Sequence, residues 1–198
     1  MNTGGSSLGT AIVIAAGGKG NRLGGGKPDR SLGDASLLQH ALSLAEQWGG
    51  PLAVSVRDGV PSSANSAAVI EDRALIEGPV AALESGFRFA AEHGCSHLLL
   101  LACDMPFLPP DLLPCLQRAI GEAKAALPVS EDRPQTMAGL WQVDPEALEA
   151  YLATGQRSLW RFAKQQNAVR VDWDDPAPFA DIDDQAALNE AERRLAKE

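Results

Sequence analysis

Residues 11–27, AIVIAAGGKGNRLGGGK, decide how the rest of the chain is read. Ala11 to Ala16 is a continuous apolar run, the pattern of a parallel strand buried on both faces. It breaks into Gly17, Gly18, Gly20, Gly24, Gly25 and Gly26, with Lys19, Arg22 and Lys27 set among them. Glycine lets backbone amides approach an anion closely, and the cations neutralise phosphate oxygens. The stretch therefore reads as a phosphate-binding loop at the carboxyl end of a buried strand. A merely flexible loop would not need three cations there. It fits neither of two common phosphate loops. In the P-loop frame the first glycine position is Asn21 and the hydroxyl position is Pro28, and in the dinucleotide frame the third glycine position is Leu23.

Outward from this loop the chain alternates strand and helix patterns. Ser36 to Trp48 carries Leu37, Leu38, Ala41, Leu42 and Ala45 on one stripe, with Ser36 as N-cap and Gly49–Gly50 as the stop. Strands are expected at Leu52–Val56, Ala68–Ile70, His97–Ala102, Ala125–Val129, Met137–Gln142 and Ala168–Trp173. Helices are expected at Val80–His93, from about Pro110 to Glu122, at Pro145–Thr154 and Arg157–Gln166, and from Asp184 to Leu195. Such alternation predicts an α/β fold, a mostly parallel doubly wound sheet with helices on both faces. With no long linker, residues 11–198 are expected to form a single domain behind a flexible stretch, residues 1–10.

The 198 residues suffice for one substantial core, and the net charge of −9 argues against general binding to a nucleic acid backbone, which needs a basic face. No signal peptide or membrane-spanning run is evident, so the cytoplasm is the expected compartment. Cys95, Cys103 and Cys115 lack metal or redox spacing and read as reduced core thiols; His40, His93 and His97 lack ligand spacing and read as structural. No nucleophile elbow or thiol setting favours covalent hydrolysis.

The remaining chemistry lies in carboxylates. Asp104 follows the apolar run HLLLLA and so should project at the same sheet edge as the glycine loop, where one or two carboxylates with phosphate oxygens suit Mg2+. Capping is the weaker explanation, because Pro106, Pro109 and Pro110 delay the next helix. In FADIDDQAAL, Asp184 is placed as an N-cap, whereas Asp181 and Asp183 point the same way if the stretch is extended. Either could complete a metal shell or belong to a solvated turn. Asp72 and Arg57 sit at other strand ends, within reach of a nucleotide or acceptor or simply at the surface.

The stretches AAGGKGNRLGGGK, EGPVAALESG (77–86), LLLACDMPFLPPDLL (99–113), GLW (139–141), GQRSLWRFA (155–163) and FADIDD resemble, in family order, the MobA-like nucleotidyltransferases. The paired Gly17–Gly18 ahead of Arg22 is similar to the guanylyltransferase branch, the molybdenum cofactor guanylyltransferases. The resemblance implies a Rossmann-like three-layer α/β/α sandwich of the nucleotide-diphospho-sugar transferase type. It also implies transfer of GMP from GTP to the terminal phosphate of molybdopterin or Mo-molybdopterin, with release of pyrophosphate.

By that resemblance Ala15, Ala16, Gly17 and Gly18 contact the nucleotide, Arg22 and Lys27 the triphosphate, and Asp72 the guanosine. Asp104 holds Mg2+, with Asp183, or less directly Asp181, completing its shell. Proteins that insert the cofactor and the molybdoenzymes that receive it are the implied partners. Two positions depart from the family pattern: Gly26 stands where an Asp usually precedes the lysine, and Asp181-Ile182-Asp183-Asp184 stands where NxNT is usual. A cytidylyltransferase, another MobA-like nucleotidyltransferase and a non-catalytic nucleotide-binding relative are the alternatives.

Overall fold

The computed structural model describes residues 9–18, 25–65 and 67–197. Among these, eight strands join one sheet: β1 (Thr10–Ala15), β4 (Leu52–Val56), β5 (Ala68–Glu71), β6 (His97–Ala102), β7 (Ala125–Ser130), β8 (Arg133–Pro134), β9 (Ala138–Gln142) and β10 (Val169–Asp172). Their order is β10-β7-β9-β6-β1-β4-β5, with β8 alongside β7. A separate small hairpin pairs β2 (Ser31–Leu32) with β3 (Ala35–Ser36). The helices are α1 (Leu37–Trp48), α2 (Val80–Glu92), α3 (Leu112–Ile120), α4 (Pro145–Ala153), α5 (Leu159–Gln165) and α6 (Gln185–Leu195).

The sheet centre is the parallel pair β1 and β6, paired from Thr10 with His97 to Ala15 with Ala102. Their side chains divide by alternation. Ile12, Ile14, Leu99 and Leu101 pack with α1 and α3 in one layer, while Ala11, Val13, Leu98 and Leu100 pack with α2, α4 and α5 in the other. This double burial is why both strands read as unbroken apolar runs. Burying such a side chain contributes roughly 1.5–3 kcal/mol.

The expected three-layer, mostly parallel architecture is present, and its parallel character is interrupted by β9, which runs antiparallel to both β6 and β7. The connection 131–137 explains the reversal, since a parallel crossover needs a dozen residues or more. Thr10 belongs to β1, and the Gly9 carbonyl accepts a hydrogen bond from the His97 amide, so the ordered sheet begins before the expected boundary at residue 11. The rest of the expected flexible start, residues 1–8, lies outside the described residues. Cys103 is buried, whereas Cys95 and Cys115 are half-buried, so only one cysteine is a core thiol; all three are free. No helix among the described residues is long and apolar enough to cross a membrane.

Two local devices place the functional edge. Ser36 caps α1 in a capping box: its hydroxyl accepts from the Gln39 amide, and the Gln39 side chain accepts from the Ser36 amide. At the other end of the chain, Asp184 caps α6 by accepting from the Ala187 amide at 2.9 Å. Leu32 from the small hairpin joins Leu37, Ile182, Leu188 and Ala191 in a third apolar cluster, which fastens α6 to the start of α1.

Candidate active site

Strand order reverses around β1, because the chain leaves it for β4 and β5 on one side and returns to β6 on the other. Such a switch point opens a crevice at the strand carboxyl ends. Here that crevice is a cleft of about 900 Å3, lined among others by Ala15, Gly17, Gly18, Lys27, Arg57, Asp72, Asp104, Asp181 and Asp183. Ala16 is buried and donates its amide to the Ser55 carbonyl at 2.8 Å, so it holds the loop to β4 and does not line the cleft. Arg22 and Lys19 lie outside the described residues.

Lys27 reaches the cleft from a single 3-10 turn, Lys27–Asp29, that follows Gly25 and Gly26, both at positive φ. The turn is anchored through Asp29, whose carboxylate accepts from the amides of Ser62 and Ser63 at 3.1 and 2.8 Å. Burial would push the Asp29 carboxyl up, but these bonds outweigh it and hold the group below the usual carboxylate range. The Lys27 ammonium donates to Asp104 Oδ2 and, at 2.5 Å, to Asp183 Oδ1. Two carboxylates, one from the middle of the sequence and one from near its end, thus converge on one cation.

Backbone geometry makes that convergence possible. Asp104 follows β6, and the Cys103 amide extends the β6–β1 ladder to the Ala15 carbonyl. Ile182 is buried and donates its amide to the Asp104 carbonyl at 3.0 Å, which turns the flanking Asp181 and Asp183 into the cleft. The expectation that these two point the same way is met.

Burial pushes the Asp104 carboxyl up from its ordinary value, and the Lys27 ammonium only partly counters it, with the Asp181 charge adding to the rise. Burial works against the Lys27 charge too, but the hydrogen bonds and charges of Asp104 and Asp183 outweigh it and raise that group. The two partners therefore shift in the same direction.

Asp72 stands on the other side of the β1 loop. Its amide donates to the Val56 carbonyl, and its Oδ1 accepts from Ser55 Oγ at 2.5 Å and Ser85 Oγ at 2.9 Å. A Cβ built on Gly17 would lie 3.3 Å from Arg57 and 3.4 Å from Asp72 Oδ2, so a glycine there keeps the loop backbone against both. Arg57 also donates to the Ile76 carbonyl, closing the segment 72–79 over the cleft rim.

Sequence reasoning missed Glu77, Asp58, Met105 and Met137 as lining residues, and Ser55 and Ser85 as partners of Asp72. A serine inside an apolar strand (LAVSV) or on a buried helix face (ALESGF) was the available signal. The histidines are structural as expected: His40 Nε2 bonds the Leu32 carbonyl, His93 Nδ1 the Phe89 carbonyl and His97 Nδ1 Ser96 Oγ.

A mostly parallel sheet with a glycine-bordered, carboxylate-lined crevice at its switch point defines an α/β domain built to handle a nucleotide. The family model described as MobA-like NTP transferase domain matches residues 12–170, and the chain belongs to that family. It is 31% identical over 182 residues to a probable molybdenum cofactor guanylyltransferase of Mycobacterium marinum, with 90% of each chain covered. It is 33% identical over 197 residues to a molybdenum cofactor guanylyltransferase of Rhizobium leguminosarum bv. trifolii, covering 93% of this chain and 92% of that one. In fold it is similar to molybdopterin-guanine dinucleotide biosynthesis protein A from Archaeoglobus fulgidus, with a TM-score of 0.78 at 22% identity, covering 95% of this chain and all of that one.

Proposed function

We infer that the protein transfers GMP from GTP to the terminal phosphate of molybdopterin or Mo-molybdopterin and releases pyrophosphate. The observation that carries this reading is the division of the cleft: Asp104, Asp183 and Lys27 meet on the β6 side of the β1 loop, and Asp72 stands on the β4–β5 side. Charge-handling groups for phosphates and a carboxylate acceptor for a nucleoside are thereby separated across one crevice. The names of the relatives supply the acceptor and the base.

The acceptor phosphate attacks the α-phosphorus of GTP. A P–O bond forms, the bond to the β-phosphate oxygen breaks, and pyrophosphate leaves. A phosphate monoester is largely ionised at neutral pH, with a second pKa of about 6, so no general base is required. Gly17 and Gly18 bring the loop backbone to the phosphates, and Lys27, with Arg22 from the same loop, neutralises the charge that accumulates on the leaving oxygens.

Mg2+ fits the same groups. Asp104 Oδ1 is buried without a hydrogen-bond partner, and the two carboxylates already enclose one cation. One or two carboxylates plus phosphate oxygens are a usual ligand set for Mg2+. Asp104 and Asp183 would hold it, with Asp181 beside them, and the ion would supply electrostatic stabilisation of the phosphates. The reading includes a cytoplasmic setting and downstream proteins that receive the finished cofactor.

The test is pyrophosphate release from GTP and from CTP with molybdopterin as acceptor. Release with GTP alone is expected. Release with CTP alone would replace the base assignment, and silence with both would refute the reading.

A further inference from the structure

Helix α2 carries two buried polar side chains, Glu84 and Ser85, and Ser85 is 1% exposed. On a helix face shared with the buried Ala81, Ala82 and Phe89, a hydroxyl costs free energy unless it is bonded. Its oxygen lies 2.9 Å from Asp72 Oδ1, 3.2 Å from the Ala82 carbonyl and 3.4 Å from Ser55 Oγ. A hydroxyl has one proton to donate, and Asp72 is both the nearest acceptor and the only carboxylate among the three. Ser55, fully buried in β4, donates to that same oxygen at 2.5 Å.

Two hydroxyls therefore donate to the same oxygen, Oδ1. Oδ2 is left as the accepting oxygen, on the Gly17 side of the carboxylate. The neighbouring residue strengthens the hold: Glu84 Oε1 accepts from Arg73 Nε at 3.1 Å, so consecutive residues of α2 grip consecutive residues after β5.

We propose that Ser85, with Ser55, is a positioning residue for nucleoside selection, acting through Asp72 by fixing its carboxylate so that Oδ2 alone accepts an N–H of the guanine edge. This rests on the guanylyl-transfer reading above. Without the two serine hydroxyls the Asp72 side chain is free to rotate about its last torsion, which is broad and roughly two-fold for aspartate. The fixed acceptor is then averaged away.

The experiment measures equilibrium binding of GTP, 2′-deoxy-GTP and CTP to the full chain carrying Ser85→Ala, Ser55→Ala, Asp72→Ala or Ser85→Ala with Asp72→Ala, and follows turnover on the same proteins. Ser85→Ala removes one oxygen in a helix, so a cooperative thermal transition near that of the parent is expected, and Ser55→Ala provides the same test from the strand side. Each is expected to weaken GTP and 2′-deoxy-GTP about five- to tenfold, the scale of one ordinary hydrogen bond, while CTP binding stays the same. The effect should fall on KM for GTP and spare kcat. In the Asp72→Ala background Ser85→Ala should change nothing further, because the coupling runs through that carboxylate.

An equal loss for Ser85→Ala with and without Asp72 would overturn the inference, as would a loss restricted to GTP over its 2′-deoxy form, which would make the ribose hydroxyl the donor. If the parent binds GTP and Ser85→Ala binds it equally well, the inference alone falls. If the parent binds no GTP, the guanylyl-transfer reading falls and takes this inference with it.

Discussion

Replacing Lys27 by alanine tests the electrostatics of the site without substrate. The substitution removes the ammonium that Asp104 and Asp183 share. Removing one partner of a fully buried ion pair costs about 3–5 kcal/mol, whereas exposed pairs are worth about 0–1 kcal/mol. Lys27 keeps 9% of its side-chain exposure and Asp104 18%, but Asp183 keeps 42%, so solvent screens one arm of the bridge. An intermediate loss of roughly 2–3 kcal/mol follows, which for a chain of this length lowers Tm by about 4–12 °C.

The same reasoning fixes the response to Mg2+. Two carboxylates without their lysine should bind the ion more readily than in the parent, where it must displace an ammonium. Binding at a hundredfold excess over Kd restores about 2.7 kcal/mol. Calorimetry of both proteins in chelator and in Mg2+ is the assay. The Tm deficit of Lys27→Ala should be largest in chelator and shrink with Mg2+. It should also shrink on acidification, because burial has already pushed the Asp104 carboxyl up and its protonation dissolves the pair. On the alkaline side the lysine's contribution is complete below its unfolded value near 10.5 and is lost as pH rises through its raised folded value. A Lys27→Ala protein that melts within a degree of the parent in chelator, or gains no more from Mg2+ than the parent does, would refute this account.

Asp104→Asn should abolish pyrophosphate release and lower Tm, since it leaves the buried Lys27 ammonium with Asp183 as its remaining carboxylate partner among the described residues; a folded variant with parental turnover would exclude Asp104 from the chemistry. Gly50→Ala should cost about 2 kcal/mol or more by thermal denaturation, because φ is 93° and the new Cβ would sit 2.7 Å from the Thr10 carbonyl oxygen, a backbone atom. Burial pushes the Cys103 thiol up to about 12, so alkylation at pH 8 should leave it unmodified until the chain unfolds, as read by mass spectrometry of the peptide that contains it.

What was legible in the sequence follows from where the information is local. The runs AIVIAA and HLLLLA read as strands because both faces of β1 and β6 are covered, and Ser36 and Asp184 read as caps because a cap is a matter of a few adjacent residues. The direction of β9 depends on pairing with β6 and β7, which no strand pattern encodes; the brevity of the 131–137 connection was the only clue. The Ser31–Ser36 hairpin has strands of two residues each, below the length at which alternation gives a signal.

The site divides along the same line. Asp104 was legible because the carboxyl end of a central strand is a place any open α/β sheet exposes, whereas Asp183 had a nearly as good reading as part of a solvated turn. What decides for Asp183 is a chain of contacts far from it in sequence. Leu32 packs with Leu188 and Ala191, which seats α6; Ile182 is drawn into the same cluster; and its amide bonds the Asp104 carbonyl. Asp183 is thus delivered to Lys27 by apolar packing on the hairpin that follows Lys27 itself. The charged centre and its supporting cluster are therefore coupled, and a truncation at Leu32 or Leu188 would separate Asp183 from Asp104 while leaving the sheet edge that presents Asp104 in place.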